Sequence, residues 1–158
     1  MTQKKKYEIL VINGVNLDLL GKREPEIYGH MSLASMENEI RHFTPVLESW
    51  LKIALSCEFY QTNHEGQFLE KLSAKAWDGV LMNPGAWTHT SLALADRLKA
   101  LNVPYAEVHL SNIAAREPFR HHSYSASQAS GVVYGFGSSS YLAGLVGLLH
   151  NMRARHTD

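Results

Sequence analysis

A chain of 158 residues, 45% apolar and 19% charged, has the size and make-up of one globular domain with a single core. Fifteen basic residues balance fifteen acidic ones, so no overall field draws the chain to nucleic acid or to a membrane surface. The single cysteine, Cys57, excludes an intrachain disulfide and a cysteine-rich zinc site, and its apolar surroundings mark it as a small buried hydrophobe.

Three lysines stand at 4–6, but the apolar stretch that follows ends at Asn13, too short for a membrane span or a signal region. A cytoplasmic address is expected. Residues 8–13 (EILVIN) predict a first strand, preceded by a flexible end over 1–7. The stretch 14–31 is long for a strand-to-helix connection and carries Arg23, Glu24, Pro25 and Tyr28 between Gly21 and Gly29. Loops of this length are lids or binding loops, and the plain alternative is a solvated surface loop. Ser32 is placed as the N-cap of a helix to about Phe43. Pro45 is expected to break that helix, with Thr44 and Pro45 opening a second short one.

Further strands are expected at Ile53–Gln61, Gly79–Asn83, 104–110 and 131–136, and further helices at 66–77, 91–101 and 139–152, with a flexible end over 153–158. Near-continuous apolar runs suit strands covered on both faces. The alternation implies an α/β fold: a doubly wound, five-stranded parallel sheet in a three-layer sandwich, with 1–158 as one catalytic domain.

On that scaffold Asn13 and Asn16 follow the first strand, Asn63, His64 and Glu65 the second, Asn83 the third, and His109 ends the fourth. A lone asparagine there caps a turn, but polar groups gathered at adjacent strand ends mark the edge where open α/β sheets bind ligands. A tyrosine is a poor base at neutral pH, with an ordinary pKa of about 10, and a guanidinium beside it lowers that value. Arg23 and Tyr28 on one loop thus form a candidate pair for removing a proton next to a carbonyl. His109 is the candidate acid for a departing hydroxide, and Glu107, two residues back on the same strand face, can orient it. Ser111, Arg116, Arg120, His121 and His122 suit recognition of a carboxylate, while Asn83 and His89 suit hydroxyls, next to a Pro84-Gly85 turn that lets the backbone approach closely. Neither glycine-rich phosphate loop is present, and the histidine pairs match no zinc signature, so no metal or nucleotide cofactor is expected.

These residues fall in long motifs: NGVNLDLLGKREPEIYG at 13–29, NHEG at 63–66, NPGAWTHTSLAL at 83–94, EVHLSNIAAREPFRHHS at 107–123 and GVVYGFGSSSYLAGL at 131–145. Together, in this order, they resemble the type II 3-dehydroquinate dehydratases along nearly the whole chain. The resemblance implies a flavodoxin-like fold and anti elimination of water from 3-dehydroquinate, through an enolate, to 3-dehydroshikimate, with no cofactor. It implies Tyr28 as base, Arg23 as its activator, Asn16 as holder of a water on the enolate, His109 as general acid and Glu107 as its support. Asn83, His89, Leu110, Ser111 and Arg120 match substrate-binding positions. Asp96 matches a residue that reaches a neighbouring subunit's site, in a homo-oligomer that is a dodecamer built from trimers. The type I enzymes use a lysine Schiff base instead, and no lysine here looks buried at a strand end.

Val15 stands where the family has proline, Asp18 and Lys22 replace neutral residues, and the span 32–63 is longer than usual. The alternatives are an inactive or repurposed relative that binds another cyclic hydroxy acid, and a flavin-binding or phosphoryl-receiving module. The last needs clustered aspartates after the first strand, where only Asp18 stands.

Overall fold

The computed structural model describes residues 4–22, 24–28 and 30–155, and of Pro25 and Tyr28 the backbone alone. Its strands are β1 (Lys5–Asn13), β2 (Ile53–Gln61), β3 (Gly79–Asn83), β4 (Tyr105–His109) and β5 (Gly131–Tyr134). Its helices are α1 (Pro25–Tyr28), α2 (Leu33–Leu51), α3 (Glu65–Leu72), α4 (Leu92–Leu101) and α5 (Ser139–Ala154). The strands form one parallel sheet in the order β2-β1-β3-β4-β5. This is the doubly wound arrangement that the alternation of elements predicts, and the flavodoxin-like fold that the family resemblance implies.

The layers follow from the two-residue period of a strand. In β1, Ile9 and Val11 point to one face, where Met36, Ile40, Leu47 and Leu51 of α2 and Tyr141, Leu145 and Leu149 of α5 cover them. Leu10 and Ile12 point to the other, under Phe68 and Leu72 of α3 and Leu94 and Leu98 of α4. Gly144 lets α5 lie close on the sheet, since a Cβ there would stand 2.5 Å from Cγ1 of Val108.

Some boundaries differ from the sequence expectation. Pro45 does not end a helix: α2 runs through it to Leu51. The proline lies on the exposed face, so water can serve the carbonyl that its missing N–H leaves free, while the buried stripe holds the helix on both sides. The hydroxyl of Thr44, rather than capping a new helix, donates to the Ile40 carbonyl at 2.9 Å. Ser32 does cap α2, accepting from the Ser35 amide at 3.1 Å. α3 stops at Leu72, short of the expected end at Trp77, because the Trp77 indole folds back and donates to the Lys71 carbonyl at 3.3 Å. At the chain's start Lys5, Lys6 and Tyr7 pair with Ile53, Ala54 and Leu55, so the strand reaches into the stretch expected to be flexible. α5 likewise continues to Ala154.

Cys57 is half-buried beside the core, and burial pushes its thiol up to about 11. No helix among the described residues is long and apolar enough to cross a membrane.

Candidate active site

The strand order reverses at β1 and β3: the chain first builds outward to β2, then returns to the other side of β1. Open α/β sheets form their ligand crevice at the carboxyl ends of strands around such a point. A cavity of about 220 Å³ lies there. It is smaller than the roughly 300 Å³ at which drug-sized sites begin, so it suits a small molecule.

Three loops build its polar floor. After β1, Asn16 turns through the left-handed region at φ +66°, which asparagine tolerates, and its amide is held by Oδ1 of Asn63 at 2.8 Å. After β3, Gly85 at φ +60° brings the backbone so close to the first loop that a Cβ would stand 2.9 Å from the Val15 carbonyl. Asn83 is locked just before it, its Oδ1 accepting from the Gly85 amide at 3.1 Å and its Nδ2 donating to the Tyr141 hydroxyl at 2.9 Å. After β4, Leu110, Ser111, Arg116 and Arg120 complete the wall, opposite an apolar side formed by Leu17, Leu19 and Leu20.

Two imidazoles stand on this wall nearly parallel, with ring centroids 6.4 Å apart. Nε2 of His109 lies 2.7 Å from Oε1 of Glu107. An ionised carboxylate only accepts, so the Nε2 proton belongs to this bond and Nδ1 is the nitrogen left for a ligand. Glu107 is fully buried. Burial alone would raise its pKa, but the hydrogen bond and charge of His109, with hydroxyl bonds from Ser125 and Thr88, outweigh that and hold it below the ordinary carboxylate value. Nδ1 of His89 is 2.7 Å from the His122 carbonyl, which fixes a proton on Nδ1 and leaves Nε2 to accept from a hydroxyl. Burial lowers the pKa of His89; the His122 carbonyl opposes this, and the charges of His109 and Arg120 add to the fall.

Among the described residues no aspartate or glutamate lines the cavity, whereas Arg116 and Arg120 do, so the site is built for an anion. Glu117 sits outside, 2.9 Å from Nε of Arg120 and 3.4 Å from Nε of Arg116, and its carboxyl is held below the usual range. Among the described residues no group of three or more histidines, cysteines or acidic residues is placed to hold a metal ion.

The expected site residues divide by position. Asn16, Asn83, His89, His109, Leu110, Ser111 and Arg120 line the cavity, and Glu107 lies directly behind His109. Asn13, Asn63, His64 and Glu65 do not line it: Asn13 is bonded to Tyr141, and Asn63 holds the loop at Asn16. Asp96 is on the exposed side of α4, away from the cavity of its own chain. Arg23 and the side chain of Tyr28 lie outside the described residues. The backbone of α1 is beside the mouth, since Ile27, His30 and Met31 line an open groove that shares Leu110, Ser111 and Arg116 with the cavity. Tyr141, Thr88 and Ser125 had not been singled out from the sequence, because their partners are far away along the chain.

The family model described as Dehydroquinase class II matches residues 7–149. This chain is a member of that family. It is similar to a 3-dehydroquinate dehydratase of Parasynechococcus marenigrum, 48% identical over 147 residues that cover 92% of this chain and 97% of that one. It is also similar to a catabolic 3-dehydroquinase of Penicillium rubens, 45% identical over 139 residues, 84% of this chain and 83% of that protein. The crystal structure of a type II dehydroquinase from Butyrivibrio crossotus superposes with a TM-score of 0.81 at 36% identity, covering 91% of this chain and 98% of the other. Class II dehydroquinase membership makes the chain a hydro-lyase, and its cavity lies at the edge of the sheet where that fold places a ligand.

Proposed function

We propose that the chain removes water from 3-dehydroquinate, giving 3-dehydroshikimate by anti elimination through an enolate, with neither metal nor nucleotide. The observation that carries this is the His109–Glu107 pair, 2.7 Å apart, at the wall of a small cationic cavity in a class II dehydroquinase. The substrate is a small anion with several hydroxyls, which is the ligand such a wall suits.

Tyr28, made acidic by the guanidinium of Arg23, takes the proton from the carbon beside the ketone. The electron pair moves onto the ketone oxygen, and a water held by Asn16 stabilises that enolate. As the enolate collapses, the carbon–oxygen bond to the leaving hydroxyl breaks and Nδ1 of His109 supplies the proton that makes it water. Glu107 holds the Nε2 proton and the ring orientation, so that the doubly protonated imidazole presents its Nδ1–H to the leaving hydroxyl. Arg120 and Ser111, with Leu110 beside them, take the substrate carboxylate, and Asn83 and His89 take its ring hydroxyls. Solvent then returns a proton to His109 and removes one from Tyr28.

Asp96, exposed on α4, supports an assembly in which it completes a neighbour's site, and the dodecamer of trimers implied by the family resemblance is proposed with it. A cytoplasmic address fits the one free thiol. Biosynthetic and quinate-degrading routes share this step, and one of the similar proteins carries the name catabolic 3-dehydroquinase.

The test is ultraviolet detection of the conjugated enone acid when chelator-treated protein meets 3-dehydroquinate. Turnover that survives the chelator, and is lost in a folded Tyr28→Phe variant, is the expected result. Folded protein that leaves the substrate untouched would overturn the proposal in favour of a relative that binds another cyclic hydroxy acid.

A further inference from the structure

Behind Glu107 lies a cluster of hydroxyls that the elimination itself does not use. Oγ1 of Thr88 donates to Oε1 of Glu107 at 2.6 Å, and Oγ of Ser125 donates to Oε2 at 2.6 Å. Oγ of Ser123 lies 2.6 Å from Oγ1 of Thr88, and the Ala126 amide donates to Oγ of Ser123 at 2.9 Å. Thr88, Ser125 and Glu107 are all buried.

The proton order in this cluster is fixed at both ends. Thr88 has one proton and spends it on the carboxylate, so Ser123 must donate to Thr88. Ser123 in turn accepts from Ala126, whose N–H can only donate. The branch therefore runs one way, from amide to serine to threonine to carboxylate. It cannot reverse to receive a proton from Glu107, because nothing at its far end accepts one. The 3.0 Å approach of Thr88 to Ser125 then carries no shared proton, since both hydroxyls already donate to Glu107. With His109 the carboxylate accepts three bonds, enough to keep it ionised without water.

We propose that Thr88, Ser123 and Ser125 are positioning residues that act through Glu107, ordering protons so that Glu107 stays ionised and His109 keeps Nδ1 toward the ligand. This rests on the dehydratase reading for the role of His109, but not for the state of Glu107.

Other titratable groups near this point do not replace the cluster. The Tyr105 hydroxyl donates to the Ser125 carbonyl, which braces the serine, and its own pKa is raised by burial and by the charge of Glu107. From the turn after β3, His89 is shifted toward its neutral form, and Arg120 is bonded to Glu117 on the far side of the cavity wall.

The experiment compares wild type, Thr88→Val, Thr88→Ser and Ser125→Ala, as whole chains labelled with carboxyl-¹³C glutamate. The Glu107 signal is assigned by its loss in Glu107→Gln, and its titration is followed by NMR beside kcat and KM for 3-dehydroquinate. Losing one bond to a charged carboxylate makes Glu107 bind its proton roughly tenfold more tightly. The expected result is that shift in Thr88→Val and in Ser125→Ala, with kcat roughly tenfold lower and KM within about twofold. Thr88→Ser should recover most of both effects. If a valine or alanine variant fails to fold, Ser123→Ala, at the outer end of the branch, should show a smaller shift in the same direction. An unmoved Glu107 titration in folded variants, with only the melting temperature lowered, overturns the proposal. The NMR titration needs no substrate. A shift seen where even wild type has no turnover would therefore uphold the ordering of Glu107 and sink the dehydratase reading instead.

Discussion

The phenol of Tyr141, on α5, accepts a hydrogen bond from Nδ2 of Asn83 at 2.9 Å, joining a covering helix to the floor of the cavity. It passes its own proton to Oδ1 of Asn13 at 2.5 Å. Burial raises its pKa, so it remains a phenol at any working pH and is no rival to Tyr28 as a base. With Oδ1 of Asn83 held by Gly85, this bond decides which way the amide points.

Tyr141→Phe should therefore separate binding from chemistry. It leaves Oδ1 of Asn13 and one N–H of Asn83 buried without partners, at about 1–3 kcal/mol each, so the melting temperature should fall. A loosened Asn83 should raise KM several-fold while kcat changes little, as steady-state kinetics would read. An unchanged KM beside a lowered melting temperature would mean that Gly85 alone orients the amide.

His89 gives a pH prediction of defined sign. Its folded pKa is depressed, chiefly by burial, so the neutral ring should persist below the ordinary value of about 6.5. Between the depressed value and 6.5 the unfolded chain takes up a proton that the native one refuses, so stability should fall as pH drops through that window. ¹⁵N NMR should find the Nδ1–H tautomer, and KM should stay flat until His89 finally charges and Nε2 can no longer accept. A KM that already climbs at about pH 6.5 would contradict this assignment.

Arg120 is expected to read a carboxylate with two N–H groups at once, and lysine cannot copy that fork. Arg120→Lys should raise KM roughly tenfold or more while leaving most of kcat, and steady-state kinetics with the melting temperature as control would test it. A KM as low as in wild type would assign the anion to Arg116.

Much of this was legible along the chain. Strands buried on both faces announce themselves as short apolar runs, and each run ends in polar residues at one edge of the sheet, so the edge could be found from the sequence. His109 and Glu107 could be paired because strand alternation puts them on one face. Pro45 misled because a local rule met a stronger tertiary one: Met36, Ile40, Leu47 and Leu51 bury one continuous stripe across it. Trp77 misled similarly, since nothing in its helical spacing says that the indole will serve the Lys71 carbonyl. The supports of the site were illegible for another reason. Asn13 is 128 residues from Tyr141, and Glu107 is 18 from Ser125 and 19 from Thr88; only the fold makes them neighbours. A buried tyrosine on an apolar helix face reads as core, and serines in a polar loop read as surface.

The proposed base can be tested through the residue that activates it. An ordinary tyrosine has a pKa of about 10 and would be almost wholly protonated at neutral pH, so the chemistry needs a cation to stabilise the phenolate. If Arg23 is that cation, kcat should rise with pH along a limb near neutrality that belongs to Tyr28. Arg23→Ala should then move the limb toward 10 and lower kcat at pH 7 by roughly a hundredfold or more, because a phenol without its cation is almost wholly protonated there. Raising the pH should restore part of the loss, which a variant merely damaged in folding would not show. The check is kcat against pH for wild type and Arg23→Ala at saturating 3-dehydroquinate, with circular dichroism at each pH. If the limb stays in place while kcat falls, Arg23 acts on the transition state and the phenolate owes its stability to another cation, for which Arg116 at the cavity wall is a candidate.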